Sequence, residues 1–291
     1  MDMSKRLPGW IGVFIVFCCL IVSLLAVLHA IQSRTDTLQI SFLDVGQGDG
    51  TLIEVPGGKE VLVDGGKHGS IAGPLADELP FYDRSVDLVV GTHADSDHIG
   101  GLSNVFATYD AGKIIVPSRK AKSSVWKRFL NSTRKEKQTG AVVDTVSTGD
   151  VLKLGPQTYL LALFPPESAV PKDTNKSSLV FKLIHGKTSV MLTGDAPKSI
   201  ERYLAGQFGQ LLDADILKPG HHGSKTSSGW PFLSAVSPSQ AVISAGKGNS
   251  YGHPHQGVLD RLEAINASTT CTCKGGTITF ESDGKELTRI K

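Results

Sequence analysis

The stretch Thr92-His93-Ala94-Asp95-Ser96-Asp97-His98-Ile99-Gly100-Gly101 limits what this chain can fold into more tightly than any other. It follows the apolar run Val86-Asp87-Leu88-Val89-Val90, which reads as a buried strand bounded by Gly91. Four potential metal ligands, His93, Asp95, Asp97 and His98, then lie on the loop at the strand's C-terminal end. That is where α/β proteins place their chemistry. His93 and Asp95 alternate as residues leaving an extended segment do. Asp97 and His98 fall at the start of the next helix, so the two pairs can face different ions. Two carboxylates and two imidazoles this close are electrostatically costly unless they are solvated or share cations. The competing reading is a solvated acidic loop with Asp97 as a helix N-cap.

A length of 291 residues allows one large domain or two modest ones. With 40% hydrophobic and 20% charged residues the chain is globular, not disordered. The 32 glycines suit a fold with many tight strand-to-helix loops. A net charge of +2 says nothing about partners, so any polyanion argument must rest on local charge. Such a region exists between residues 119 and 137. Arg119, Lys120, Lys122, Lys127, Arg128, Arg134, Lys135 and Lys137 surround the single acid Glu136 on a predicted helix over Ala121–Gln138. A phosphate backbone, anionic lipid headgroups or plain solvent could face it. Neither Cys18 with Cys19 nor Cys271 with Cys273 has zinc-knuckle spacing. A Cys271–Cys273 bridge would close a very small ring, so thiols or an occasional strained bridge are expected there.

Residues Trp10 to Ile31 carry no Asp, Glu, Lys or Arg, about the length an apolar helix needs to cross a bilayer. Lys5 and Arg6 precede the segment and favour a cytoplasmic N-terminus. A long apolar core and the poor cleavage site Leu28-His29-Ala30 favour an uncleaved signal-anchor over a signal peptide removed near Ala30. The expected organisation is a signal-anchor over residues 1–32, a linker over 33–37 and one domain over 38–291. That domain would be extracytoplasmic, tethered to the membrane by the N-terminal helix or secreted after cleavage.

The domain opens with period-two strands at 38–45, 51–55 and 60–64, a β-meander turned by glycine. A helix over His98–Tyr109 and a strand at 113–116 follow. A second half is expected to hold strands at 141–146, 158–164, 178–184, 189–192, 214–217 and 241–244. Helices follow Asp195 and Gln256, and a hairpin turned at Asp283-Gly284 closes the chain. Two sheets face to face with helices outside is the natural packing.

Five motifs now stand in order: Phe42-Leu43-Asp44-Val45-Gly46-Gln47-Gly48-Asp49, Val63-Asp64-Gly65-Gly66, His93–Gly101, Leu192-Thr193-Gly194-Asp195, and Lys218-Pro219-Gly220-His221-His222-Gly223-Ser224. Together they resemble the metallo-β-lactamase superfamily, specifically the hydrolase domain of ComEC competence proteins. The many-helix channel of full-length ComEC proteins is not in this sequence.

The resemblance implies a four-layer αββα sandwich and two divalent ions, zinc or manganese, with magnesium possible. His93 and Asp95 would bind one ion, Asp97 and His98 the other, and Asp195 would bridge them. Of His221 and His222, we favour His222 as the ligand, leaving His221 to face substrate. Asp95 stands where the superfamily usually has histidine, which hardens the site toward manganese or magnesium. A further superfamily histidine is missing. His185 does not match it, and Asn175 and Ser178 in Asn175-Lys176-Ser177-Ser178 resemble the Asn-x-x-Ser element of ComEC-type domains instead. Asp44, Asp49 and Asp64 would orient the ligands, although turn chemistry beside Gly46 explains Asp44 equally well. His253, followed by Pro254, is expected to line the site, and His255 to be a surface residue at a helix start.

The expected activity is metal-hydroxide attack on a phosphodiester such as single-stranded DNA, with Asp97, His221 and His253 serving the chemistry. The alternatives are hydrolysis of small phosphoesters such as choline phosphate, and a non-catalytic DNA-binding module.

Overall fold

The computed structural model describes residues 9–34, 36–168 and 170–291, with side chains of the first helix described for residues 10–25. In chain order the first half contains helix α1 (Gly9–Arg34), strands β1 (Leu38–Phe42), β2 (Thr51–Val55) and β3 (Lys59–Val63), and helix α2 (Ala72–Glu78). Strand β4 (Ser85–Val90), helices α3 (Ser96–Ile99) and α4 (Leu102–Val105), strand β5 (Asp110–Ile115), helix α5 (Ser124–Thr139) and strand β6 (Val142–Asp144) follow. The second half runs through β7 (Val151–Gly155), β8 (Thr158–Phe164), β9 (Val180–His185), β10 (Thr188–Leu192), α6 (Lys198–Phe208), β11 (Ile216–Lys218) and α7 (Trp230–Val236). It ends with β12 (Gln240–Ile243), α8 (Gln256–Ala264), β13 (Ser268–Cys271), α9 (Thr272–Gly275), β14 (Ile278–Ser282) and β15 (Leu287–Arg289).

The strands form two sheets, ordered β15-β14-β1-β2-β3-β4-β5-β6 and β13-β12-β11-β10-β9-β8-β7. Their inner faces meet in one apolar layer, where Ile40, Phe42, Ile53, Val63 and Val90 pack against Leu160, Phe181, Leu183, Val190 and Ile216. A second layer, including Leu43, Leu62, Val89, Leu102, Trp126 and Phe129, seals the first sheet beneath α2 to α5. A third, including Met191, Leu204, Leu217, Phe232 and Leu262, does the same for the second sheet beneath α6 to α8. Alternate residues of one strand thus enter different layers, as Val89 and Val90 do, because side chains leave a strand on opposite faces. The expected αββα sandwich forms.

Several sequence expectations are corrected. Strand β6 pairs in parallel with β5 and closes the first sheet instead of opening the second. The terminal hairpin also returns to the first sheet, where β14 pairs antiparallel with β1. The helix expected over 98–109 is broken in two. The Gly101 N–H bonds the Gly66 carbonyl at 2.9 Å, leaving the helical ladder. Strands β7 and β13 were not anticipated. Cys271 and Cys273 are bridged, with Cα atoms 5.2 Å apart, because Cys271 ends β13 and Cys273 lies in the single turn of α9 that follows, which brings the Cα atoms within disulfide range.

The apolar N-terminal segment forms helix α1, and its described side chains include the exposed Trp10, Phe14, Phe17 and Leu24. Among the described residues no helix is long and apolar enough to cross a membrane. Lys5, Arg6 and the side chains around Ala30 lie outside the described residues.

Helix α6 carries one polar anchor for the loop that follows the twin histidines. The buried Glu201 carboxyl accepts hydrogen bonds from the Ser228 and Gly229 N–H groups at 2.6 and 2.8 Å. Burial pushes its pKa up from 4.5 to about 7, against the pull of those N–H groups and of Lys198 and Arg261. A raised acid stabilises the fold fully below its unfolded pKa, and that contribution is lost as pH rises through the folded one. Glu201 should therefore stabilise the domain by about 3 kcal/mol more at pH 4.5 than above pH 7. Glu201→Gln should flatten that portion of the melting-temperature profile. Parallel profiles for the two proteins across this window would refute the assignment.

Candidate metal centre

The site lies at the C-terminal ends of parallel strands from both sheets. Strands β3 to β6 run parallel to one another, as do β10 to β13. Asp64 follows β3, His93 follows β4, Asp195 follows β10, and Lys218 with His221 and His222 comes from the end of β11. Asp97 and His98 occupy the first turn of α3, so Asp97 is not its N-cap.

Asp195 stands between two groups of donors. Its Oδ1 lies 3.1 Å from His98 Nε2 and 3.7 Å from His222 Nε2. Its Oδ2 lies 3.7 Å from both His93 Nε2 and His221 Nε2. Asp95 Oδ2 is 3.7 Å from His93 Nε2, and Asp97 Oδ2 is 3.6 Å from His222 Nε2. The Nε2 atoms of His93, His98 and His222 and Oδ1 of Asp195 are buried without a hydrogen-bond partner. Orphaned buried polar atoms are rare and costly. Four of them converging from three segments suit cations that would accept their lone pairs, so this donor set fits divalent metal. The open side, a cavity of about 180 Å³, is lined by Gln47, Asp95, Asp97, Asn175, Tyr251 and His253 together with His221.

Behind the donors lies a buried hydrogen-bonded frame. Asp64 accepts from the Thr92 N–H at 2.8 Å and the Thr92 hydroxyl at 2.7 Å, and pairs with His98 Nδ1 at 2.7 Å. That fixes His98 with Nε2 facing inward, the usual way a carboxylate orients a ligating imidazole. Asp49 does the same for His222, with Oδ1 3.1 Å from Nδ1, which also faces the Ser244 carbonyl at 3.1 Å. The tightest donor cluster among the described residues is Asp49, His98, Asp195 and His222, with ligand atoms within 4.8 Å. Within it Asp49 faces the Nδ1 atoms and the buried Lys218 ammonium, which ion-pairs with it. Asp49 therefore stands behind the imidazoles, and Asp97 is the carboxylate on their Nε2 side. Ser178 Oγ accepts from the Asp195 N–H at 3.2 Å. Gly48 has φ of 143°, and a Cβ there would sit 2.4 Å from the Asp97 carbonyl, so only glycine lets this loop approach α3.

His221 and His222 both adopt left-handed backbone conformations, at φ of 53° and 55°. Such strain costs on the order of 1–3 kcal/mol per residue and persists only where the surroundings enforce it. Here the His221 N–H bonds the Gly194 carbonyl and Ser227 Oγ bonds the Gly220 carbonyl. The effect is to aim adjacent imidazoles at the two oxygens of Asp195. His222 is buried, whereas His221 is partly exposed and pairs through Nδ1 with Thr226 Oγ1 at 3.0 Å.

Charge coupling dominates the site. Burial favours neutral imidazole, yet Asp195, Asp49 and hydrogen bonds to carboxylates raise His222 to about 9. His98 is held well above the imidazole range, burial again being outweighed by Asp195, Asp64 and Asp49. Asp195 is correspondingly held well below the carboxylate range, burial being outweighed by His98 and His222. Burial also opposes ionisation of Asp97, but the adjacent His222 and His98 bring it to about 2. At the rim, burial and the neighbouring His222 and His221 depress His253 to about 4, so it is neutral at pH 7.

One expected site residue does not belong. Asp44 is exposed, and its Oδ1 accepts from the Gly46 N–H at 3.1 Å, which is turn chemistry. Asn175 lines the cavity, and its Oδ1 accepts from Thr174 Oγ1 at 3.3 Å, beside that hydroxyl's bond to Asp95. His185 ends β9, whose opposite end adjoins the site, and it bonds Thr158 at 2.9 Å. His255 sits at the start of α8 as expected. Thr92 and Lys218 were missed as framework residues. A lysine closing the buried strand Ile216-Leu217-Lys218 was the available signal, because an unpaired ammonium is almost never buried.

The metallo-beta-lactamase superfamily matches residues 43–247. ComE operon protein 3 of Bacillus subtilis is 32% identical over 96% of this chain and 37% of its own length. Recombination protein 2 of Haemophilus influenzae is 32% identical over 89% of this chain and 31% of its own length. The chain thus spans about a third of these relatives. Among solved structures, Igni18, a metallo hydrolase from Ignicoccus hospitalis, superposes with a TM-score of 0.52 at 17% identity, covering 84% of this chain and 99% of its own. CmlA, a diiron β-hydroxylase from Streptomyces venezuelae, gives 0.53 at 14% identity over 87% and 54%. At these identities the structures speak to fold alone, whereas the matched span from Leu43 onward includes every strand end that carries a donor. The chain belongs to the metallo-β-lactamase superfamily.

Proposed function

We propose that this metallohydrolase is a phosphodiesterase acting on single-stranded DNA, exported and held at the membrane by its N-terminal apolar helix. The observation that carries the reading is Asp195, whose two oxygens face separate donor groups. Asp95 with His93 and Asp97 with His98 and His222 give each group one more carboxylate and at least one imidazole. A carboxylate-rich set of this kind favours manganese as readily as zinc, with magnesium a further candidate. Two divalent cations, when bound, supply an acidified water and offset the negative charge of a phosphodiester. His221 and the neutral His253, whose ring centroids are 5.6 Å apart at the open side, are placed to hydrogen-bond a phosphoryl oxygen and offset the charge that develops on it. Asp64, Asp49 and Ser178 hold His98, His222 and Asp195 in aim throughout. Competence and recombination proteins among the relatives support a DNA substrate.

The test is hydrolysis of a labelled single-stranded oligonucleotide and of bis(4-nitrophenyl) phosphate after chelation and re-addition of manganese or zinc. Both substrates should turn over only with metal restored. Turnover of small phosphomonoesters such as choline phosphate alone would replace the reading with the small-phosphoester one. Salt-dependent DNA binding without any hydrolysis would leave a binding module.

A further inference from the structure

Helix α5 carries a charge pattern that the site does not use. Its inner face buries Trp126, Phe129, Thr133 and Glu136, and the Glu136 carboxylate is spent accepting the Ala111 N–H at 3.0 Å. The opposite face presents Lys127, Arg128, Arg134 and Lys135, all exposed. At 100° per residue, Lys127 with Arg134 and Arg128 with Lys135 form two rows, each spanning about 10 Å along the axis. Only the uncharged Ser124, Asn131 and Gln138 lie between them. None of these four cations makes an ion pair among the described residues, and the only basic residue in the last turn is Lys137. Neither pairing nor the helix dipole therefore explains the stripe.

Its position ties it to the metal centre. Helix α5 packs on α3, the helix that carries Asp97 and His98. Strand β5 pairs in parallel with β4, matching Val90 to Ile115, so the segment after Ile115 emerges at the edge that bears His93. That segment holds Arg119, Lys120 and Lys122 and leads straight into α5. Basic residues thus follow one another from the strand end beside His93 onto the outer face of α5.

We infer that this track is an exosite for the backbone of a single-stranded nucleic acid whose scissile phosphate occupies the metal centre. This rests on the phosphodiesterase reading above. A strand is favoured over a lipid surface because interfacial helices present aromatic or aliphatic side chains beside their cations. Here Trp126 and Phe129 are turned inward and the basic face has no apolar residue. Contacts to phosphate carry no sequence information, so binding should be sequence-independent and steeply dependent on salt.

The test compares the full chain with K127Q/R128Q/R134Q/K135Q, measuring anisotropy of a fluorescent oligo-dT without added metal across a salt series. The variant should bind about tenfold or more weakly near 0.1 M salt, and its log–log salt slope should be shallower by roughly 2 to 3. Turnover of bis(4-nitrophenyl) phosphate should be unchanged, since that substrate is too small to reach the track. Equal affinity and slope for both proteins would overturn the exosite while leaving the phosphodiesterase reading intact. Undiminished DNA binding with loss of binding to phosphatidylserine vesicles would also overturn it, in favour of lipid. DNA binding lost in the variant, when the wild type hydrolyses no DNA, would support the track and sink the phosphodiesterase reading instead.

Discussion

An Asp195→Asn protein should fold, bind manganese or zinc far more weakly, and lose at least about a thousandfold in phosphodiester turnover, roughly 4 kcal/mol of barrier. The substitution keeps the volume and the backbone bond to Ser178 Oγ. It replaces one of the two inward oxygens with an amide that donates, and removes the negative charge shared by His93, His98, His221 and His222. Among the described residues no other faces both donor groups, so the loss should fall on both halves together. Elemental analysis of the purified variant, set beside its turnover and melting temperature, measures this. Unimpaired turnover at full metal content would end the case for Asp195 as the bridging group.

Lys218→Met should cost about 3–5 kcal/mol of stability, because it strands the Asp49 carboxylate in a buried position. In a domain of this size that corresponds to a melting temperature lower by roughly 10 °C. Burial disfavours the Asp49 carboxylate, and Lys218, His222 and His98 together outweigh it and hold the group well below the carboxylate range. The damage should extend to function, since Asp49 orients His222 through Nδ1. The double variant K218M/D49N should recover most of the stability, because an amide oxygen still accepts from His222 while the uncompensated charge is gone. A single variant within 1 kcal/mol of wild type by denaturant unfolding would show that the pair does not hold the frame.

The legible part of this protein was whatever is written locally. His93, Asp95, Asp97 and His98 fall within one loop after one strand, and a metal-ligand pattern of that density has few other physical uses. Period-two alternation located most strands, and the closing hairpin followed from Asp283-Gly284. Asp195 and His222 could be placed only through the family resemblance, since no local rule connects position 195 or 222 to position 93.

What the sequence determined by itself was the chemistry of the donors and the layered αββα class, because residue type and periodicity act over a few residues. Which sheet received β6, β14 and β15 was decided by the tertiary structure, since backbone pairing between distant strands leaves no mark in either one alone. The same holds for Asp44 and Asp49. Both are aspartates in one glycine-rich turn, but burial beside Lys218 and His222 made Asp49 part of the frame, and exposure left Asp44 to its turn. Convergence of side chains from four strand ends is a property of packing, and packing is where this chain becomes a metal site.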